Sequence, residues 1–156
     1  MRVLVAYYSR GGVTKKMAEI IAAELKKQDL EVSLTEVTQV KPSDLLEFEG
    51  IIIGSPTYYG TLAYQVKKML DESNAHHGSL DGKIGGAFSS SANIAGGNET
   101  TILSILEAML IHGMIIQGDP KGDHYGPVAI NSVDNRAQSN CLRFAQRFAK
   151  LLKTRA

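Results

Sequence analysis

The chain has 156 residues, 44% hydrophobic and 21% charged, with 17 basic and 16 acidic side chains and a formal net charge of +1. That balance, with no basic run and no aromatic-basic patch, excludes a nucleic-acid binder on electrostatic grounds. No run of about 18 apolar residues occurs, so no transmembrane helix is expected. The apolar stretch near the start is too short for a secretory h-region with its flanks, and a cytoplasmic protein is expected. The single cysteine, Cys141, rules out an intrachain disulfide. The length suits one domain across residues 1–156.

In chain order, Val3 to Tyr8 is a continuous apolar run, the pattern of a strand buried on both faces. A small glycine-bearing turn, Ser9 to Thr14, follows. Met17, Ile20, Ile21 and Leu25 then fall on one face of a helix running from Thr14 to about Gln28. From Leu30 to Thr35 apolar and polar residues alternate strictly, as in a half-buried strand at a sheet edge. Gly50 to Ser55 reads as another buried strand. Leu62, Val66, Met69 and Leu70 mark a second helix. Lys83 to Phe88 is a fourth strand, in which Gly85 and Gly86 permit close approach of a neighbour. Ile102, Ile105, Leu106, Met109 and Leu110 mark a third helix. Met114 to Gln117 is a short fifth strand, and Val128 to Ile130 continue it after a polar loop. Asp134 is placed to cap a last helix whose apolar face carries Cys141, Phe144, Ala145, Phe148, Leu151 and Leu152. Strands alternating with helices predict an α/β fold, a parallel sheet covered on both faces.

In an open parallel sheet, ligands bind outside the carboxyl ends of the strands. Three unusual loops belong to that edge. The first is Ser9-Arg10-Gly11-Gly12-Val13-Thr14. It lacks GxxxxGK[ST] and GxGxxG, which argues against nucleoside triphosphate hydrolysis and a Rossmann dinucleotide site. What remains is a hydroxyl-rich anion nest at a helix start, where a phosphate is the usual occupant. Arg10 either adds charge there or points to solvent. The second loop runs from Ser55 to Gly60. Pro56 holds Ser55 extended, and Thr57, Tyr58 and Tyr59 suit a flat ligand that needs stacking and a hydrogen bond. The third runs from Ser89 to Glu99. Ser89, Ser90, Ser91, Ala92, Asn93, Gly96 and Gly97 are small and carry no charge, so the backbone can approach a planar ring. Each loop has a plainer reading, as a tight turn, a helix cover or a helix entry.

His124 and Tyr125 stand in a fourth stretch, Gly122 to Gly126. His124 offers proton transfer or a phosphate contact, or is simply solvated. His76 and His77 have no further ligands beside them, so no metal site is expected. The first strand ends Ala6-Tyr7-Tyr8-Ser9, without the acidic cluster of a magnesium-assisted phosphoryl site.

Taken together, Tyr7-Tyr-Ser9, Gly54-Ser-Pro-Thr-Tyr-Tyr-Gly60, Gly96-Gly-Asn-Glu-Thr-Thr101, His112-Gly-Met114 and Tyr125-Gly126 resemble the flavodoxin-fold quinone reductases of the WrbA type. The match runs in order across nearly the whole chain. The resemblance implies a flavodoxin-like three-layer sandwich with a five-stranded parallel sheet in the order 2-1-3-4-5. It implies FMN, with phosphate at Ser9 to Thr14, the ring against Thr57 to Gly60, and ring and ribityl contacts from Ser89 to Gly97. It also implies NADH or NADPH as co-substrate, two-electron reduction of a quinone, and a homo-oligomer, dimer or tetramer. On this view the flavin does the chemistry, and Tyr58, Tyr59 or His124 lends a proton. The alternative is a flavodoxin-type carrier passing single electrons to a redox protein. Carriers look strongly acidic near the flavin, whereas Ser89 to Gly97 carries no carboxylate. Negative charge there would raise the cost of an anionic hydroquinone and separate two one-electron steps. Its absence favours paired reduction.

Overall fold

The computed structural model describes residues 1–155. The first apolar run forms β1 (Arg2–Tyr7), with Val3 to Ala6 buried. It is followed by α1 (Val13–Lys27), β2 (Glu31–Glu36), β3 (Gly50–Tyr58), β4 (Thr61–Leu62) and α2 (Tyr64–Glu72). Then come β5 (Ile84–Ser91), α3 (Asn98–Ile111), β6 (Ile115–Ile116), β7 (Val128–Ile130) and α4 (Asn135–Thr154). Short 3₁₀ turns fill much of the stretch between β2 and β3.

The main sheet is parallel, in the order β2-β1-β3-β5-β6. β3 lines one edge of β5; β6 pairs with the start of β5 and β7 with its end. The expected order 2-1-3-4-5 is therefore present, its fifth position built from two pieces. β2 lies at the edge, as its alternation required, although Leu34 remains 37% exposed.

Strand alternation divides the core into two layers. Val3, Val5, Ile52 and Phe88 pack with Met17, Ile21, Leu25, Cys141 and Phe148, beneath α1 and α4. Leu4, Ala6, Ile51 and Ile53 pack with Val66, Met69, Ile102, Ile105 and Met109, beneath α2 and α3. Burial pushes the Cys141 thiol up to about 12, so it behaves as a small apolar core group. The glycines inside the strands make room for rings: a Cβ at Gly86 would lie 2.6 Å from Phe144 Cζ, and the Phe88 ring fills the space beside Gly54.

Two loops expected at the ligand edge are partly strand. β3 continues through Tyr58 and β5 through Ser91, so Ser55 to Tyr58 and Ser89 to Ser91 are held in the sheet. Pro56 does not stop β3, for a reason of register. Gly54 O accepts from Tyr8 N at 3.1 Å on the β1 side. Pro56 faces that same side two residues on, where β1 has already ended, so its missing N–H costs no ladder bond. Leu62 belongs to β4 and not to α2, and Leu110 points outward at 58% exposure.

The expected cap of the last helix is present, Asp134 Oδ1 accepting from Ala137 N at 2.8 Å. Asp134→Ala is expected to cost about 1 kcal/mol, read as a lower urea midpoint at unchanged slope.

Candidate functional site

Beyond the carboxyl ends of β1, β3 and β5 the chain forms a cleft of about 480 Å³. Ser9, Arg10, Gly11, Val13 and Thr14 line one wall, Pro56 to Tyr58 a second, and Ser90, Ser91 and Ala92 a third. Gly12, at φ 89°, is the N-cap of α1 and donates its N–H to Ser9 Oγ at 3.1 Å. α1 has no side-chain cap and no acidic residue in its first turn. Its first N–H groups have no partner within the helix, and the positive end of its dipole opens on the cleft. Thr14, 1% exposed, sets its hydroxyl 2.8 Å from Ser90 Oγ. Two hydroxyls hold two protons and only one lies between them, so the pair keeps one O–H to offer. Arg10 is the single charged side chain among the lining residues.

The second wall ends in a hairpin. Tyr59 and Gly60 both have positive φ, 48° and 82°, and join β3 to β4 as a two-residue turn. Tyr59 is fully exposed at the tip. Tyr58 is 37% exposed; partial burial, and then the neighbouring Tyr8, hold its phenol above the usual range, with Arg10 opposing. Ser55 Oγ anchors the hairpin by accepting from Ala63 N at 2.9 Å. Thr100 donates to Gly60 O. Gly97, at φ 96°, lies so close that a Cβ there would stand 2.5 Å from Gly60 Cα. Thr57 Oγ1 lies 3.1 Å from Ser89 Oγ and 3.0 Å from Thr101 Oγ1, which ties β3, β5 and α3 together.

The third loop shrinks to Ala92 to Gly97, between β5 and α3. Ser91 Oγ donates to Asn93 O at 2.9 Å, and Gly96 N–H donates to the same carbonyl at 3.2 Å. His124 and Tyr125 do not reach the α1 cleft. They line a second cleft of about 850 Å³, shared with Gly97, Asp123, Asp134 and Arg136. His112 lies at the opposite edge of the sheet, buried, with Nε2 2.8 Å from Ser73 Oγ, and burial lowers its pKa.

Two features of this edge were not foreseen. Asn131, at φ 60°, follows β7 directly, lines the α1 cleft and donates its N–H to Ser91 O at 2.9 Å. A polar residue just past a strand's carboxyl end was the available signal. The other is the set Arg136, Arg143 and Arg147 on α4, which holds the loop carrying His124. Arg143 donates to both oxygens of Asp119. Arg136 donates to Asp123 Oδ1 at 2.7 Å. These arginines recur at i, i+7 and i+11, one stripe of a helix.

A doubly wound parallel sheet with a hydroxyl-lined cleft where its strand order reverses is a flavodoxin-like architecture. The model of the flavodoxin domain matches residues 4–103. A flavodoxin from Clostridium saccharobutylicum is 35% identical over 160 residues, covering 98% of this chain and 98% of its own. The chain belongs to the flavodoxin family. An NAD(P)H dehydrogenase (quinone) from Sinorhizobium fredii is 36% identical over 141 residues, 76% of this chain and 71% of that one. A solved archaeal flavodoxin superposes with a TM-score of 0.80 at 28% identity, over 98% of this chain and 99% of that one. Both branches of the motif resemblance are thus met. Among the described residues no helix is long and apolar enough to cross a membrane.

The Asp119 carboxyl is held well below the usual carboxylate range, first by its hydrogen bonds from Arg143. A depressed pKa contributes stability that is present above the unfolded value, near 3.9, and lost as pH falls below it. Urea midpoints taken from pH 6 downward are expected to fall below about pH 4. Asp119→Asn is expected to lower the plateau and flatten that fall.

Proposed function

We propose that the chain is an FMN-dependent NAD(P)H:quinone oxidoreductase. The residues present fit FMN. The uncapped start of α1, Ser9, Gly11, Gly12, Val13 and the Thr14–Ser90 hydroxyl pair offer donors for a phosphate, with Arg10 adding charge. Ser91 and Asn131, which line the same cleft, would hold the ribityl chain. Pro56 to Gly60 on one side, and Ala92, Asn93, Gly96 and Gly97 on the other, would hold the ring. Bound FMN supplies hydride acceptance from NADH or NADPH and delivery to a quinone. The protein's part is to bind, orient and tune, and to lend a proton.

The observation that carries the reductase reading is electrostatic. No carboxylate lines the α1 cleft, and its one charge is the cation of Arg10. A second electron on a ring beside this cleft meets no carboxylate of the cleft wall, which favours transfer in pairs. The carrier reading has its own support, the near-complete length match to the clostridial flavodoxin. In that case a redox protein takes the place of the quinone. The reductase reading also carries the homo-oligomer that the motif resemblance implied, which light scattering measures.

Anaerobic addition of NADH, then NADPH, then benzoquinone to the FMN-loaded protein separates the two. Bleaching by a nucleotide and recovery on quinone, with little semiquinone on the way, is the expected course. A flavin that only dithionite reduces, through abundant semiquinone, would establish the carrier. Thr14→Val removes one hydroxyl of the anion pair and is expected to weaken FMN by about 1–2 kcal/mol, roughly five- to thirtyfold in Kd. Fluorescence titration of the apoprotein reads this, and unchanged affinity would place Thr14 outside the phosphate site.

A further inference from the structure

The loop from Gln117 to Pro127 spans the break between β6 and β7, and α4 clamps it from one side. Arg143 Nη2 donates to Asp119 Oδ1 at 2.8 Å, and its Nε donates to Oδ2. Arg147 lies 3.7 Å from the same carboxylate and donates to Gly118 O at 2.8 Å. Arg136 holds the far end of the loop through Asp123 and Val128 O. Asp119 stays ionised under this clamp, with Lys121 N–H also donating to Oδ1 at 2.9 Å.

The backbone of Asp119 then grips His124 twice. Its N–H donates to His124 O at 3.0 Å. Its carbonyl lies 2.8 Å from His124 Nδ1. A carbonyl holds no proton, so Nδ1 must carry one. The lone pair of the neutral imidazole is thereby left on Nε2. Among the described residues His124 makes no other side-chain hydrogen bond, and it lines the cleft it shares with Gly97. Gly97 in turn packs on Gly60 at the hairpin of the α1 cleft. Of the two tyrosines at that hairpin, Tyr59 stands free in solvent, and Tyr58 keeps its proton more tightly than an ordinary phenol.

We propose that Arg143 and Arg147 are positioning residues that act through Asp119 to fix the tautomer of His124, and that His124 Nε2 gives up the proton a quinone requires. This rests on the reductase reading. Reducing a quinone to a hydroquinone takes two electrons and two protons. NADH or NADPH gives up a hydride, which is two electrons with one proton, and leaves as the oxidised nucleotide. The second proton leaves Nε2 of the imidazolium and goes to a quinone oxygen; water then returns one to Nε2. With Nδ1–H committed to Asp119 O, only Nε2 cycles.

The test uses the full, FMN-loaded chain labelled with ¹⁵N-histidine. Nitrogen shifts report the tautomer independently of turnover. In the wild type the neutral His124 ring is expected as the Nδ1–H form, and Arg143→Met is expected to move it toward Nε2–H. In stopped flow, His124→Gln and Arg143→Met each slow quinone reduction about tenfold or more, as loss of an orienting partner does. The NADH step is left unchanged, and the double variant is no slower than His124→Gln alone. Arg147→Met, which leaves the two-point Arg143 pair in place, gives a smaller change in the same direction and serves if Arg143→Met does not fold. An Nδ1–H ring that survives Arg143→Met overturns the positioning role. Quinone reduction unmoved in His124→Gln overturns the proton role. A wild type that turns over no quinone overturns the reductase reading and the proton role together, and leaves the tautomer result to stand or fall by itself.

Discussion

The structure depends on the backbone N–H groups at the start of α1, which have no partner inside the helix and receive none from a side-chain cap. An N-terminus finished with Ser, Thr, Asp or Asn at its cap would satisfy itself. Here the cap is Gly12, in a left-handed conformation that contributes no side chain. The donors therefore face the cleft, and the neighbouring elements bring further hydroxyls to the same place. β1 delivers the loop to the carboxyl edge of the sheet. β5 runs three residues further than its apolar run, so that Ser90 reaches Thr14. β3 runs on through Pro56 because its β1-side edge is already free at that height.

Charge is distributed to the same end. The cleft at α1 holds one cation and no carboxylate. Carboxylates line the second cleft instead, Glu99, Asp123 and Asp134, with Asp123 paired to Arg136; Asp119, on the same loop as Asp123, pairs with Arg143 and Arg147. The first cleft therefore presents hydroxyls and a cation, and the two aspartates of the loop, Asp119 and Asp123, are each paired with arginine at short range. Pairing of this kind steadies a loop more than it stabilises a fold, because much of each arginine is still in water.

α4 shows how one helix serves both ends of this arrangement. Its apolar face, with Cys141, Ala145, Phe148 and Leu152, closes the core over the sheet. Its arginine stripe lies beside the loop that bridges the two halves of the fifth strand. The break between β6 and β7 leaves the middle of β5 without a partner strand on the side away from β3; Gly126 packs there against Ala87 O, where any Cβ would collide. The loop is thus held by backbone at its base and by guanidinium groups along its length, and His124 is carried on it in a defined orientation.

Much of this was legible in the amino-acid order, because periodicity and side-chain size act locally. Val3 to Ala6 without a polar break forced a doubly buried strand, the alternation of Leu30 to Thr35 forced an edge, Asp134 announced a cap, and Gly85-Gly86 announced close packing. The hydroxyl and glycine content of Ser9 to Thr14 was enough to mark the turn that opens α1 at the carboxyl edge. Tertiary structure alone decided what depends on partners distant in sequence. It made strand of Ser89 to Ser91, because β7 arrives from 37 residues or more away to pair with them. It let Pro56 remain in β3, because whether a missing N–H matters depends on which neighbour stands opposite. It put His124 and Tyr125 in a second cleft, brought Asn131 to the first, and set Arg143 on Asp119. Local physics chooses the element; only the register between elements chooses which side chains meet, since each ladder and each ion pair is satisfied by a residue that the local sequence does not contain.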